Sequence, residues 1–245
     1  MAYASINSIY EAVKRIANKD NRGFIRPTDF NIYARQAQLE VFHEILSEYK
    51  LAQVSRKRFL SYRDGNYNSI ENIKDDLSTL VVFEKQLPYN VIKETFSLPD
   101  DYAYYIAMEY EGAPVEIVAP EDVKTYVGSF DGAPTEDMPI ATMTREGVKL
   151  YPDTIDYNVK LTFYKIPQGS DSNGNASTQM PTWAYQTVSS QPLYNPSASI
   201  NFELPKQLEG RLIGRILSYV GIELREPELY QYAENEGMQQ KQSRA

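Results

Sequence analysis

The sequence of 245 residues contains no cysteine, one histidine, one tryptophan and no long apolar run. The missing thiols exclude disulfides, thiolate metal sites and cysteine nucleophiles together. With His43 as the only imidazole, a zinc or iron site would have to be built mainly from carboxylates. No stretch approaches the roughly eighteen apolar residues of a membrane span. Residues 1–7 lack a basic start followed by an apolar core, so no secretion signal is expected. Positive charge is also scarce: 25 Lys and Arg stand against 33 Asp and Glu, a net −8. A protein that grips nucleic acid does so by neutralising phosphates, and this balance argues against it. It is compatible with a surface that DNA passes without sticking.

What is present is ordinary for a globular chain, with 42% hydrophobic and 24% charged residues, which argues against global disorder. The length allows one large domain or two modest ones. Tyrosine stands out, with 20 residues against 9 phenylalanines. Its apolar body and polar tip suit either protein interfaces or the half-buried rim of a core.

Helical periodicity marks both ends of the chain. Ile6, Ile9, Tyr10, Val13, Ile16 and Ala17 predict a helix over 5–19. Pro27 announces a longer one, striped by Phe30, Tyr33, Ala34, Ala37, Val41, Ile45 and Tyr49. Leu39, Phe42 and Leu46 widen that stripe into a face for two neighbours. A short helix is expected over 69–78 and a long one over 206–224, the latter carrying Leu208, Leu212, Ile216, Leu217 and Val220. On another side of it Gly210 and Gly214 sit four apart, spacing that allows close backbone packing. Arg211 and Arg215 exclude a membrane setting for that pair. Between the ends lie short strands: 80–83, 91–96, 115–118, a hairpin over 140–151, and the strict alternation of Tyr157, Val159, Leu161 and Phe163. The fold expected is α+β, a helical bundle of the N- and C-terminal segments (1–79 and 205–245) with an inserted antiparallel β region (80–204), as one composite domain.

Three features invite a chemical reading and none completes one. Asp171, Asn173 and Asn175 resemble the start of a calcium loop, but the later glycine and glutamate positions are Ala176 and Thr182. The stretch 168–178 therefore reads as a long polar loop. The carboxylate pairs Asp75-Asp76 and Asp100-Asp101 sit where turns use Asp anyway. No phosphate loop, dinucleotide fingerprint or nucleophile elbow is found, so neither a catalytic set nor a cofactor is expected.

Four short motifs, taken in order, carry a resemblance. Ala37-Gln38 lies in the first long helix, and Leu98-Pro99-Asp100-Asp101-Tyr102 opens the β region. Phe163-Tyr164-Lys165-Ile166-Pro167 closes it, and Leu204-Pro205 introduces the final helix. In this order and spacing the chain resembles the head-to-tail adaptor, or ring, proteins of short-tailed bacteriophages over residues 28–235. Its tyrosine richness and lack of cysteine also resemble the ring proteins of the crAss-like phages. The resemblance implies a virion protein, assembled in the host cytoplasm, that forms a closed ring of twelve copies. Such a ring lies under the portal protein, lengthens the DNA channel without binding DNA specifically, and carries the next tail or ring protein. It implies portal docking by the C-terminal segment, with Leu229, Tyr230, Tyr232 and Met238 as anchors. The loop carrying Asp171, Asn173 and Asn175 exceeds the family's usual length, which implies an added contact with a neighbouring ring. A tail hub of the same fold is one alternative. A carbohydrate-binding or glycan-cleaving module on the β region is another, motivated by its Tyr, Trp and Asp residues.

Overall fold

A computed structural model describes residues 3–17, 25–58, 65–130, 132–171, 175–188 and 191–224, with side chains omitted at 54–58, 65–70 and 222–224. In chain order the elements are α1 (Ile6–Ala17), α2 (Pro27–Arg58) and α3 (Gly65–Leu77). Strands follow as β1 (Val81–Gln86), β2 (Tyr89–Asn90), β3 (Thr95–Phe96), β4 (Tyr102–Tyr110), β5 (Ala113–Pro114) and β6 (Glu116–Ile117). Next come α4 (Val123–Val127), β7 (Ile140–Thr144), β8 (Gly147–Tyr151) and β9 (Val159–Lys165). The chain ends with β10 (Gly169–Ser170), β11 (Ala176–Ser177), β12 (Tyr185–Val188), β13 (Gln191–Tyr194), β14 (Asn201–Phe202) and α5 (Glu209–Leu224). The fold is α+β, with the β region inserted between helical segments.

The chain forms two compact units. One combines its two ends, up to Leu80 and from Pro167 onward; the other is Val81–Ile166. In the first unit the apolar stripe of α2 is buried as its spacing predicts, through Phe30, Ala34, Ala37, Val41, Phe42, Ile45 and Leu46. It packs against both α3 and α5, and α1 packs against α5. Polar side chains on α2 and α5 form a ladder beside this seam. Arg215 Nε meets Glu40 at 3.3 Å and its guanidinium also meets Glu44, while Arg211 Nη2 meets Glu48 at 3.2 Å.

The segment 167–204, expected to belong to the β region, packs with the helices in the first unit. Gln38, fully buried, donates from Nε2 to the carbonyls of Pro167 (3.2 Å) and Gln168 (2.5 Å) and accepts from the Glu203 N–H at 3.0 Å. Asn31 treats Trp183 as a strand partner, accepting from its N–H at 2.8 Å and donating to its carbonyl at 3.2 Å. The Trp183 ring stacks on Tyr10 (4.1 Å), Tyr185 (5.8 Å) and Tyr194 (5.7 Å), and its Nε1–H reaches Asn7.

The polar stretch 168–178 is partly strand. β10 pairs with both β11 and β14, and the buried Ser170 hydroxyl donates to the Phe202 carbonyl at 2.8 Å. A Cβ at Gly169 would crowd the Gln179 carbonyl oxygen at 2.6 Å, which is why glycine stands there.

The second unit is two sheets, β1-β9-β4-β5 and β2-β3-β8-β7-β6. Both contribute to one core of Phe96, Met108, Tyr110, Val148, Leu150, Val159, Leu161 and Phe163, a face-to-face packing. The alternating strand places Val159, Leu161 and Phe163 inward as predicted, whereas Tyr157, expected to begin the alternation, lies outside the strand and is exposed. The opening and closing motifs of the β region lie side by side. Asp101 accepts from the Ile166 N–H at 2.8 Å, and Tyr102 pairs with Lys165.

One strand expectation is overturned. Residues 91–94, predicted as part of a strand, form the turn between β2 and β3. Asn90 Oδ1 accepts from the N–H groups of Ile92 (3.1 Å) and Lys93 (3.2 Å). This local side-chain bonding wins over the β propensity of Val91 and Ile92.

Burial raises the hydroxyl pKa of Tyr10, Tyr102, Tyr105 and Tyr219, the last also through the Glu40 carboxylate. Tyr110 is raised by its hydrogen bond to Tyr157, then by burial. Each shift favours the neutral phenol in the fold. The stability they contribute is complete below the ordinary value of 10.0 and is lost as pH climbs above it. The unfolding midpoint is therefore expected to hold between about pH 8 and 9.5 and to fall above about pH 10. Tyr219→Phe should lessen that fall, as read by denaturant titration at each pH.

Candidate interaction surfaces

The residues with chemical potential are dispersed. His43 is exposed on α2 beside Phe42. Asp75 is exposed, whereas Asp76 is buried and bonded to Gln207, so this pair faces two ways. Asp101 meets Lys85 at 3.8 Å while Asp100 is exposed. No three His, Asp or Glu side chains converge on a common point among the described residues. No helix among them is long and apolar enough to cross a membrane.

Asp171 and Asn175 close their own turn. Asp171 Oδ1 accepts from the Asn175 N–H at 2.8 Å, and Oδ2 from Nδ2 at 2.9 Å. Asn173 lies outside the described residues, as do Leu229, Tyr230, Tyr232 and Met238. Gly210 is exposed and Gly214 half-buried on α5, whose packing is carried by Leu212, Ile216, Leu217 and Val220.

Large apolar side chains that face solvent are the more telling feature. At the β2–β3 turn Ile92 is 96% exposed and Val91 78%. Turns usually carry Gly, Asn, Asp or Ser at such positions. The turn is held firmly: Glu94 sits at φ +52°, and its carboxylate takes Lys149 Nζ at 3.4 Å. A second patch lies at the other edge of the same sheet. Val118, Val123 and Ile140 seat α4 on β7, leaving Tyr126 and Val127 facing outward. Phe130 is completely exposed and Met138 is 75% exposed. Met138 is fixed by a turn in which it and Thr135 exchange N–H to carbonyl bonds at 3.1 and 3.3 Å. Tyr126 and Met138 also line a cleft of about 540 Å³ that opens beside β5, β6 and the start of β7. Its walls include Pro114, Val115, Tyr126, Pro134 and Ile140, with Glu116 and Asp137 supplying negative charge.

In the first unit the β12–β13 ribbon pairs with no other strand among those described and exposes Tyr185, Val188 and Leu193. Compared with known protein families and with curated proteins, the sequence matches none. The exposed turn was not visible in the sequence. Its only trace is Asn90 ahead of two β-branched residues, where the amide favours a turn and they favour a strand.

Proposed function

We propose that this chain is a structural subunit of a bacteriophage neck, a ring beneath the portal that joins head to tail and carries DNA through its centre. The observation that carries this reading is the ordered set of four motifs, together with the joints at which they stand. Gln38 ties down the chain at Pro167, Asp101 meets Ile166, and Leu204 accepts from the Ala4 N–H at 2.9 Å. The exposed Ile92 beside Val91, and Phe130 and Met138 beside the cleft-lining Tyr126, support a life in contact with other chains, since clustered exposed apolar surface marks interaction sites. The net charge of −8 suits a channel wall that releases DNA.

Mass measurement of the purified chain, alone and mixed with the portal of the same phage, tests the proposal. A closed multimer that binds the portal is the expected result. A monomer under all assembly conditions, with no portal binding, would overturn it. Within this reading, deleting residues 226–245 should leave the fold intact and weaken portal docking about tenfold or more. If the truncated chain unfolds instead, that segment belongs to the core.

A further inference from the structure

The β2–β3 turn lies at one edge of the five-stranded sheet, and the acidic cleft lies at its other edge, β6, where Pro114 of β5 from the four-stranded sheet also lines it. Four strand intervals separate them, about 19 Å at the usual spacing. The turn therefore cannot fill the cleft of its own chain, although the two are complementary. The turn presents Val91 and Ile92 with exposed Lys93 beside them. The cleft presents Pro114, Val115, Tyr126 and Ile140 with Glu116 and Asp137. No ion pair among the described residues engages Lys93, Glu116 or Asp137.

We propose that Val91 and Ile92 of one copy insert into the 114–140 cleft of the next copy, with Lys93 set against Glu116 and Asp137. The inference rests on the ring reading above and names the contact that would close it. A knob on one edge and a socket on the other make a head-to-tail interface, which generates rings when the rotation closes. Strand addition is a poor alternative, because the edge strands β2 and β6 are two residues each. The knob alone is smaller than a stable interface, which buries about 1,000 Å² or more. Exposed Met138 lines the socket, and exposed Val127 and Phe130 lie in the chain between its lining residues Tyr126 and Gly132. Both halves are preformed: Asn90 locks the knob and the Thr135–Met138 turn holds the socket's lip. Preorganisation of this kind lowers the ordering cost of association.

The natural sequence lacks cysteine, so introduced thiols are unique. Ala133 is exposed and lines the cleft; the variant carrying both Ile92→Cys and Ala133→Cys, mildly oxidised with portal present, should give covalent species of three subunits and more. Either single substitution should stop at dimers. Ile92→Glu should weaken self-association about tenfold or more, while Ile92→Leu keeps it; both positions are exposed, and circular dichroism checks the fold. If the chain forms multimers but the double variant stops at dimers and Ile92→Glu assembles normally, this contact is wrong and the ring reading stands. If Ile92→Glu assembles normally but loses portal binding, the turn faces the portal and the proposal falls. A chain that is monomeric throughout, with no covalent ladder, overturns both.

Discussion

Replacing Gln38 with leucine is expected to cost the first unit about 3 kcal/mol or more. The residue is fully buried and satisfies three backbone groups at once: the carbonyls of Pro167 and Gln168 and the N–H of Glu203. Each such group left without a partner in the interior costs about 1–3 kcal/mol. Partial relaxation recovers some of the total. Leucine fills similar volume and suits a helix, so packing and propensity are not what is lost. Gln38→Glu is the sharper contrast. It keeps shape and acceptor but removes both donors, aiming a carboxylate at two carbonyl oxygens near Glu203. It should be at least as damaging as leucine. Trp183, the single tryptophan, lies in the first unit, so its fluorescence during denaturant unfolding reads this loss selectively. Unchanged stability in both variants would mean that the buried network is not holding the 167–204 segment.

That network could have been anticipated. Ala34, Gln38 and Phe42 recur at intervals of four along the α2 stripe, and an amide inside an apolar stripe must find partners. The four helices 6–17, 27–58, 65–77 and 209–224 and the strand Val159–Lys165 were legible for the usual reason: one buried face imposes a period. α3 begins at Gly65 rather than at the expected 69, because glycine and asparagine are common just past the ends of helices. The same residue types also begin helices. The β12–β13 ribbon gave no signal because β12 is exposed at every position and β13 is exposed or half-buried. β13 alternates in burial but turns Leu193 outward, so the alternation does not follow hydropathy, and Pro192 argues against a strand away from an edge. Of the surfaces proposed for contact, the sequence offered only composition. Tyrosine richness says that interfaces are favoured; it does not say that Ile92 and Phe130 stand fully in solvent. The exposure of Ile92 follows from a local competition at Asn90 that residue types alone do not decide, and that of Tyr126 and Val127 from the seating of α4, a tertiary fact.

Gly147→Ala should be the most damaging change in the second unit. The residue sits at φ +137°, a region that side-chain-bearing residues rarely adopt, and an added Cβ would overlap the Phe96 carbonyl oxygen. The backbone conformation costs about 1–3 kcal/mol for alanine, and the steric overlap about 1–3 kcal/mol more. The place of least resistance is the β3–β8 ladder, which joins at the single pair Phe96 and Val148. Yielding there would pull Phe96 from the core and loosen the β2–β3 hairpin that carries Val91 and Ile92. Amide hydrogen exchange should show lost protection at Phe96 and Ser97, whose N–H donates to Pro88 at 2.9 Å. β4 and β9, joined along most of their length, should retain theirs. Under the proposed neighbour contact, self-association would fall with hairpin order, although no exposed residue had changed. Ile92→Glu would lower association with exchange unaltered. A Gly147→Ala chain that keeps its hairpin protection and yet fails to assemble would separate the two, and would place the decisive contact elsewhere than the turn.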